Sequence, residues 1–518
     1  MRFAEEPRSV LAYLDGLRSG DAPTHGGRVL SYVYDPGEPE LDELAGLATR
    51  AMQPVNGLDP TTFGSVAALE RDLVGFARDL LGGDHDVVGT VTSGGTESCL
   101  LAVLAARDAW LAVQGHVLGR ARPRLVAPAT VHAAFHKAAH LLGLELDLVP
   151  VGPDGAVDAW AVGDRLGPDV ALVVVSAPSY PHAALDPVAD VARLAAAQDV
   201  PLHVDACIGG FALPFWPDLP AWDLRVPGVT SVSADLHKYA YAPKGVSVLL
   251  HRGRDRQRVQ YFATTRWPGY PVVNPTLLGS RSGGPLAAAW AIVRALGQSG
   301  LAELAARARA ATLELRGAVE GIKGLRVVGQ PVGPLFAVAA DDDVSATRRV
   351  DPHVWADAVA ERGWILQSQP GLTQGDGTRL PHTTHLTVTP VTAQVLSELV
   401  PAMVGAADDV RGVERPDPGP LLAAALSGAA HDGGATADGA TADGVPPERR
   451  PSSAESDAAA AVLASVGLGG AGAVGGEGTP ATSGVGPMAP LLAAVEAMPS
   501  EVAERLLVEL VARLVEPR

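Results

Sequence analysis

Residues 229–239 read VTSVSADLHKY, an apolar, β-branched run followed at once by an aspartate, a histidine and a lysine. The run over residues 229–233 predicts a strand, and the charged residues would lie at its carboxyl end. In parallel sheets covered by helices, that edge is where ligands bind. Lys238 could there form a Schiff base with an aldehyde cofactor, although a lysine taken alone is more often a surface residue. The neighbouring segments decide whether Lys238 is a Schiff-base lysine or a surface residue.

Strand-like runs of the same kind occur on both sides of this segment, at residues 170–176, 200–204 and 246–250. Continuous Val and Leu runs of this length are typical of parallel strands covered on both faces by helices. Helical stretches alternate with them, so we predict an α/β fold with a large, mostly parallel sheet. Beyond Leu286, a long Ala-rich helix, short strands and further helices predict a smaller α+β domain.

Changes in composition divide the chain into five parts. We predict an N-terminal arm over 1–60, a large domain over 61–285, a small C-terminal domain over 286–413, a disordered linker over 414–487 and an amphipathic helix over 488–518. The linker is rich in Gly, Ala and Pro and repeats ATADG, so it cannot bury enough apolar surface to offset its ordering entropy. The terminal helix would begin at Ser500 as its cap and carry an apolar stripe of Val502, Leu506, Leu510 and Leu514.

The net charge, the cysteine count and the lengths of the apolar runs exclude several classes of protein. A formal net charge of -18 argues against wholesale binding to nucleic acid or to an anionic membrane. The two cysteines, Cys99 and Cys207, show no metal-site spacing and fit a reducing compartment. The N-terminus lacks the apolar core of a signal peptide, and no run of about 18 apolar residues occurs. We therefore expect a cytoplasmic enzyme without a stable membrane anchor.

Two other segments supply what a pyridoxal-type cofactor requires. HVDACIGG, residues 203–210, places Asp205 at the end of a predicted strand, where a carboxylate could keep a pyridine ring protonated. Taken alone, Asp205 could equally cap a turn. TVTSGGTES, residues 90–98, predicts a strand, a glycine turn and a helix N-terminus. There Gly95 would let the backbone approach a phosphate, and the Thr96 hydroxyl would add a hydrogen bond. In this order, the three segments predict bound pyridoxal 5'-phosphate.

A fourth segment, TVHAAFHKAAH at 130–140, contains three histidines. His132 could lie over a flat ring and exchange protons with a substrate. The helix that follows explains His136 and His140 as surface residues.

Together these segments resemble the pyridoxal-phosphate-dependent group II decarboxylase superfamily, and within it the sphingosine-1-phosphate lyase branch. The matching stretches are VTSGGTES (91–98), VHAAFHKAA (131–139), HVDACIGGF (203–211), SADLHKYAYAPKG (233–245) and NPTLLGSRSGG (274–284). Weaker matching extends from about residue 25 to 410. The resemblance implies the type I fold of pyridoxal-phosphate-dependent transferases, which is aspartate-aminotransferase-like, with active sites shared between the subunits of a homodimer.

The resemblance also implies roles for individual residues. Those assigned to the cofactor are Gly95 and Thr96 at the phosphate, His132 stacked on the ring, Asp205 at the pyridinium, Cys207 near the ring's other face, Lys238 as the Schiff-base lysine, His237 assisting beside it, and Ser280 reaching the phosphate from the partner subunit. Those assigned to the substrate are Tyr34, Asn56, Asp59 and Lys244. Of the whole set, the catalytic group comprises Lys238, His237, His132 and Asp205.

One segment departs from the pattern of the branch. Where the lyases have Asn-Pro-Leu-His-Pro, this chain has Asn56-Gly-Leu-Asp59-Pro60. An acid therefore replaces the histidine that those lyases use toward the substrate phosphate, and a carboxylate there would repel the phosphate. The first hypothesis is a carbon–carbon lyase that cleaves a phosphorylated β-hydroxy amine in a retro-aldol reaction. The alternative is an L-amino-acid decarboxylase for an aromatic or acidic amino acid. A transaminase and a non-catalytic homologue are less favoured.

Overall fold

The computed structural model describes residues 4–114, 122–419 and 487–515. Most of the predicted linker, from residue 420 to 486, lies outside the described residues. The boundaries predicted at residues 60, 285 and 413 stay predictions. Across the described ranges, no helix combines the length and the apolar character needed to cross a bilayer.

A seven-stranded sheet forms the centre of the protein, in the order β1-β7-β6-β5-β4-β2-β3. Its strands are β1 (Val87–Thr92), β2 (Arg124–Pro128), β3 (Glu145–Val149), β4 (Val170–Ser176), β5 (Leu202–Asp205), β6 (Val229–Ala234) and β7 (Ser247–Arg252). Parallel pairing joins β3 to β2, β2 to β4, β4 to β5 and β5 to β6. The predicted α/β fold of the type I class, with a large and mostly parallel sheet, is confirmed.

One strand was assigned the wrong direction from its composition. The run at 246–250 reads like a parallel strand, but β7 runs antiparallel to both β6 and β1. The short segment between β6 and β7 contains no helix, and without a crossover a chain returns antiparallel. Burial of β7 on both faces gives it the continuous apolar sequence of its parallel neighbours.

Helices cover both faces of this sheet and connect it to a second, antiparallel sheet. The helices are α1 (Pro7–Arg18), α2 (Pro39–Met52), α3 (Gly64–Leu80), α4 (Gly95–Val113), α5 (Ala133–Leu142), α6 (Ala159–Gly163), α7 (Val188–Ala197), α8 (Arg254–Val259), α9 (Gly284–Glu320), α10 (Pro352–Ala360) and α11 (Thr392–Asp409). The second sheet has the order β10-β11-β15-β12. The remaining strands are β8 (Phe262–Thr264), β9 (Val272–Asn274), β10 (Leu325–Val327), β11 (Leu335–Ala340), β12 (Gln367–Gln369), β13 (Leu372–Thr373), β14 (Arg379–Leu380) and β15 (Thr383–Thr387).

The apolar core explains why the site is rigidly positioned. Every residue of β4 and β5 is buried, and side chains such as Val173 and Val204 have no exposed surface. A fully buried valine side chain contributes about 1.5–3 kcal/mol. The carboxyl ends of β4, β5 and β6 therefore form a fixed edge, and the glycine turn between β1 and α4 lies at the same edge.

The C-terminal segment forms two helices rather than the single one predicted over 488–518. They are α12 (Met488–Ala497) and α13 (Ser500–Leu514). Pro499 separates them because its ring clashes with a continuing helix. Ser500 begins α13 without acting as its cap. The two helices pack on each other through a small apolar cluster that includes Met498 and Ala503.

A buried glutamate attaches α12 to strand β14 and to the segment that follows α11. Glu496 keeps only 5% of its side chain exposed and accepts hydrogen bonds from Arg415 at 2.6 Å and Arg379 at 2.9 Å. Asp357 on α10 accepts from the backbone N–H groups of Met488 and Ala489, at 2.9 Å each. These contacts satisfy the first amides of α12, which have no partner within the helix.

We expect Glu496→Gln to weaken the attachment of this helical pair by about 2 kcal/mol or more, because it leaves the partly buried Arg415 without its counter-charge. Faster hydrogen exchange in residues 488–514 would report the loss. The matched control is Glu398→Gln. The Glu398 side chain is 63% exposed, so its ion pair with Arg28 contributes only about 0.5 kcal/mol. Equal exchange in the two variants would contradict this prediction.

Candidate active site

A cavity of about 450 Å³ opens at the carboxyl edge of the large sheet. It is lined by eight residues that the sequence predicted as site residues: Gly95, Thr96, His132, Asp205, Cys207, His237, Lys238 and Lys244. They come from four separate segments of the chain, which the fold brings to one place. Tyr34 lies beside the cavity, with its ring 4.5 Å from the Lys244 amine.

Lys238 follows β6 and forms a close ion pair inside the cavity. Its Nζ lies 3.0 Å from Oδ2 of Asp235, and Nε2 of His237 lies 3.6 Å from the same oxygen. Burial is the largest single effect and opposes the charge on Lys238, but Asp235, together with smaller contributions from Tyr34, Cys207 and Asp205, raises the pKa of the lysine well above its ordinary value. Burial likewise opposes the charge on Asp235, and Lys238 and His237 together hold the pKa of this carboxyl below its ordinary value. Lys238 is therefore protonated in the cofactor-free protein.

Asp205 ends β5 and faces the same cavity from the strand next to β6. It is 7% exposed, and its Oδ1 accepts a hydrogen bond from the backbone N–H of Cys207 at 3.0 Å. Behind it, His203 is hydrogen-bonded to the hydroxyls of Ser231 and Ser233 at 2.9 and 3.1 Å. Burial lowers the pKa of His203 to about 4, so this histidine is neutral and holds no competing positive charge beside Asp205.

The glycine turn forms the opposite wall. A Cβ atom on Gly95 would lie 2.6 Å from Oδ2 of Asp235, so no side chain fits at this position. Gly94 has φ of +154°, a conformation that L side chains rarely adopt. The first amides of α4 thus stand at the cavity edge, where an anion can approach them. Glu97 supports the turn by accepting from the Ser93 amide at 2.6 Å.

The two substrate-side residues Tyr34 and Lys244 form a pair at the edge of the cavity. Lys244 Nζ donates to the carbonyl of His237 at 3.4 Å and lies over the ring of Tyr34. Burial, with a smaller contribution from Lys238, lowers the pKa of Lys244 to about 8. Burial raises the pKa of Tyr34, so its hydroxyl keeps its proton at neutral pH and can donate a hydrogen bond.

Asn56, Asp59 and Ser280 lie elsewhere in the protomer and do not line the cavity that holds Lys238. Asn56 Nδ2 donates to Ser280 Oγ at 3.2 Å, so two of the three are neighbours. Asp59 accepts from the Thr61 and Thr62 hydroxyls at 2.5 and 2.7 Å. These hydroxyls, Thr61 first, lower the pKa of Asp59 to about 2. The aspartate that replaces the lyase histidine therefore organises the turn before α3.

Asp235 and Tyr180 are two cavity residues that had no predicted role. Asp235 lies in the SADLHKY segment, but its contact with Lys238 depends on a turn that the sequence of this segment does not predict. Tyr180 follows the end of β4 by four residues, and a position just after a parallel strand was an available signal. Its ring stacks on His385 at 4.3 Å, and its buried hydroxyl has no hydrogen-bond partner within the described residues.

The geometry fits a phosphorylated aldehyde cofactor. A lysine amine, a carboxylate on the neighbouring strand and a helix N-terminus surround one cavity, and Gly95 leaves the turn open where a phosphate would approach. Each group has the chemistry that one end of pyridoxal phosphate needs: an amine for the aldehyde, an acid for the ring nitrogen and amides for the phosphate.

Comparison with known proteins agrees with this geometry. Residues 63–310 match the family described as the pyridoxal-dependent decarboxylase conserved domain. The chain is 37% identical to mouse sphingosine-1-phosphate lyase 1 over 360 residues, which is 68% of this chain and 61% of the relative. With the rice sphingosine-1-phosphate lyase it shares 33% identity over 80% of this chain and 74% of the relative. It thus spans about three fifths of the mouse relative's length.

Solved structures show similarity to the same family. A sphingosine-1-phosphate lyase from Burkholderia pseudomallei superposes with a TM-score of 0.70 at 34% identity, covering 79% of this chain and 93% of that one. A Lactobacillus brevis glutamate decarboxylase reaches the same TM-score of 0.70 at 20% identity, covering 80% of this chain and 95% of that one. The second similarity concerns the fold alone.

Proposed function

This chain belongs to the pyridoxal-phosphate-dependent group II decarboxylase superfamily, in its sphingosine-1-phosphate lyase-like branch with pyridoxal 5'-phosphate as cofactor, and on that basis we propose that it is a carbon–carbon lyase. Its proposed substrate is a phosphorylated β-hydroxy amine, as the names of these relatives suggest. The observation that carries the proposal is the position of Lys244. This second cation lies on the Tyr34 ring at the edge of the Lys238 cavity, where a substrate phosphate could reach it.

The residues of the cavity divide the work of holding the cofactor. Lys238 would bond covalently to its aldehyde, Asp205 would keep its ring nitrogen protonated, and the turn at Gly95 and Thr96 would hold its phosphate. His132 caps α5 through its own Nδ1, which accepts from the Ala134 amide at 3.1 Å, so its ring is fixed at the cavity wall. When bound, the protonated ring accepts the electron pair left at the substrate's α carbon.

The reaction requires one proton to leave the β-hydroxyl of the substrate. We assign its removal to Lys238, whose amine would be free once the substrate amine has taken its place on the cofactor, and His237 holds the lysine's counter-ion Asp235 from the other side. As the proton leaves, the Cα–Cβ bond breaks, its electron pair stays with the α carbon, and the β carbon departs as an aldehyde. A proton returned to the α carbon completes the second product, a phosphorylated ethanolamine.

The alternative, an amino-acid decarboxylase, is favoured by the acid at position 59, because Asp59 stands where the lyases use a histidine toward the phosphate. Two observations weaken it. The Asp59 carboxylate is already occupied by Thr61 and Thr62, and no arginine lines the Lys238 cavity in the part of the chain that the structure describes. A substrate carboxylate would then depend on the same Lys244 that suits a phosphate.

We further propose that two chains form a homodimer with shared active sites, in the cytoplasm. Asn56 and Ser280 lie outside the cavity of their own chain, as residues serving a partner's cavity would. Helix α1 buries none of its residues and leaves Leu11 61% and Tyr13 71% exposed, which a second copy would cover. A sedimentation mass of one chain would contradict this arrangement.

The proposal is tested by product analysis with matched substrates. The cofactor-loaded chain is mixed with sphingosine phosphate, with unphosphorylated sphingosine, and with a panel of aromatic and acidic amino acids. We expect long-chain aldehyde from the phosphorylated amine, much less from the unphosphorylated one, and no carbon dioxide from the panel. Carbon dioxide without aldehyde would replace the lyase by the decarboxylase.

Lys244 predicts a pH dependence. Its pKa near 8 means that the ammonium is present below pH 8 and is lost as the pH rises through that value. We expect KM for the phosphorylated substrate to rise above this pH by about 10-fold to 100-fold, the range of a charge-assisted hydrogen bond. In Lys244→Gln the KM should be high at every pH, and a KM that still rose near pH 8 would assign the effect to another group.

Asp235 predicts a second pH effect, on cofactor loading. Lys238 must lose a proton before its amine can attack an aldehyde, and Asp235 opposes that loss. Other groups that act on the Lys238 charge are Tyr34, Cys207 and Asp205, which favour it, and its own burial, which does not. In Asp235→Asn the pKa of Lys238 should fall, so the pH profile of cofactor capture by the cofactor-free chain should move to lower pH. An unmoved profile would show that Asp235 has only a packing role.

A further inference from the structure

The chain's two cysteines meet at the floor of the active-site cavity. Cys99 lies near the start of α4 and Cys207 follows β5 by two residues, and both are buried and free. Their sulfurs and one carboxylate oxygen of Asp205 all lie within 4.8 Å of one another. Both cysteines also line the cavity. More than a hundred positions separate them along the chain, which is why their spacing suggested no site.

We propose that Cys99, Asp205 and Cys207 form a binding site for a soft divalent metal ion, of the Zn²⁺ or Cd²⁺ class, in the cofactor-free protein. Two thiolates and a carboxylate are ligands that such ions accept. Three protein ligands with the cavity on the fourth side leave one coordination position for water. Binding releases one proton from each thiol to solvent, and the two resulting thiolates bond to the metal.

All three ligands are already held in place. Cys207 donates its backbone N–H to Asp205 at 3.0 Å, and its sulfur lies 3.2 Å from the Ser233 hydroxyl. Cys99 is held by the buried helix α4, where it is 1% exposed. The sites of the three ligand atoms therefore exist before the metal arrives, and little ordering is needed to bind it.

The metal and the cofactor would exclude each other. Asp205 is the carboxylate that we assign to the cofactor's ring nitrogen, and it cannot serve a metal ion at the same time. Because linkage is reciprocal, the bound cofactor must lower the affinity for the metal by the same factor by which the bound metal lowers the affinity for the cofactor. A metal-loaded chain would be unable to take up cofactor, and a cofactor-loaded chain would resist the metal.

The test uses the full-length chain freed of cofactor and titrated with Cd²⁺ alone. We expect one equivalent to bind with the near-ultraviolet charge-transfer absorption of cadmium thiolates. The Cys99 thiol, burial and the nearby carboxylates raise the pKa of Cys207 well above its ordinary value, so no thiolate signal precedes the metal. The absorption must fall by at least half in both Cys99→Ser and Cys207→Ser, because each variant keeps only one of the chain's two cysteines. Thermal unfolding followed by circular dichroism verifies that both variants are folded.

A competition experiment completes the test. Pyridoxal phosphate added to the cadmium-loaded chain should release the metal and abolish the absorption, while Mg²⁺, which prefers oxygen ligands, should neither bind there nor delay cofactor uptake. Three results would overturn the proposal: no absorption, undiminished absorption in either serine variant, or cadmium retained at full cofactor occupancy. None of them bears on the lyase reaction, which is measured with the loaded protein.

Discussion

Lys238→Ala should lower kcat by roughly 10³-fold or more, because it removes the only covalent attachment that we assign to the cofactor. The amine lies in the cavity beside Asp205, His132 and the glycine turn, and Lys244, the other lysine lining that cavity, stands at its edge over Tyr34. The variant should also lose the absorbance of lysine-bound cofactor. Both effects are measured on the same purified sample.

The matched control for this variant is Lys323→Ala. Lys323 is exposed and follows α9, far along the chain from the glycine turn, and only its backbone carbonyl makes a described hydrogen bond, which it accepts from Arg411. Its replacement should leave kcat and the cofactor absorbance unchanged. If Lys238→Ala kept wild-type absorbance after dialysis, the cofactor attachment would lie on another residue.

Asp205→Asn is the second large effect. The amide keeps the shape of the side chain and can still accept the Cys207 N–H bond, but it cannot balance a positive charge on the cofactor ring. We expect kcat to fall by about 10²-fold to 10³-fold, the range seen when one preorganised electrostatic contact is removed. KM should change little, because Asp205 lies at the floor of the cavity and Lys244, which we assign to the substrate phosphate, lies at its edge.

A buried carboxylate outside the cavity provides the control. Asp223 has no exposed surface and pairs with Arg225 at 2.5 Å, so Asp223→Asn should lower thermal stability without lowering kcat. An Asp205→Asn enzyme with wild-type kcat would contradict the role of Asp205, whereas equal losses in the two variants would show that kcat simply follows stability.

The sequence predicted the parts of the site that lie directly after strands. Lys238, Asp205 and the turn at Gly95 each follow a continuous apolar run, and strands of one parallel sheet end at the same edge. The fold class followed from the same runs. These features are local, so the neighbouring sequence was sufficient to predict them.

What the sequence did not predict depends on contacts between distant segments. The ion pair of Asp235 with Lys238 and the meeting of Cys99 with Cys207 arise from turns and packing that no spacing encodes. The direction of β7 was misassigned because burial, and not pairing, sets its composition. Pro499 is visible in the sequence, and the break it imposes between α12 and α13 could have been predicted from the proline rule alone.

The central claim is that this cavity breaks a Cα–Cβ bond, and product stoichiometry tests it most directly. The cofactor-loaded, full-length chain is mixed with a limiting amount of sphingosine phosphate, and long-chain aldehyde and phosphorylated ethanolamine are quantified together. The account predicts equal amounts of the two products, each matching the substrate consumed, and neither product with Lys238→Ala. Substrate consumed without aldehyde, or aldehyde formed at an undiminished rate by Lys238→Ala, would contradict it.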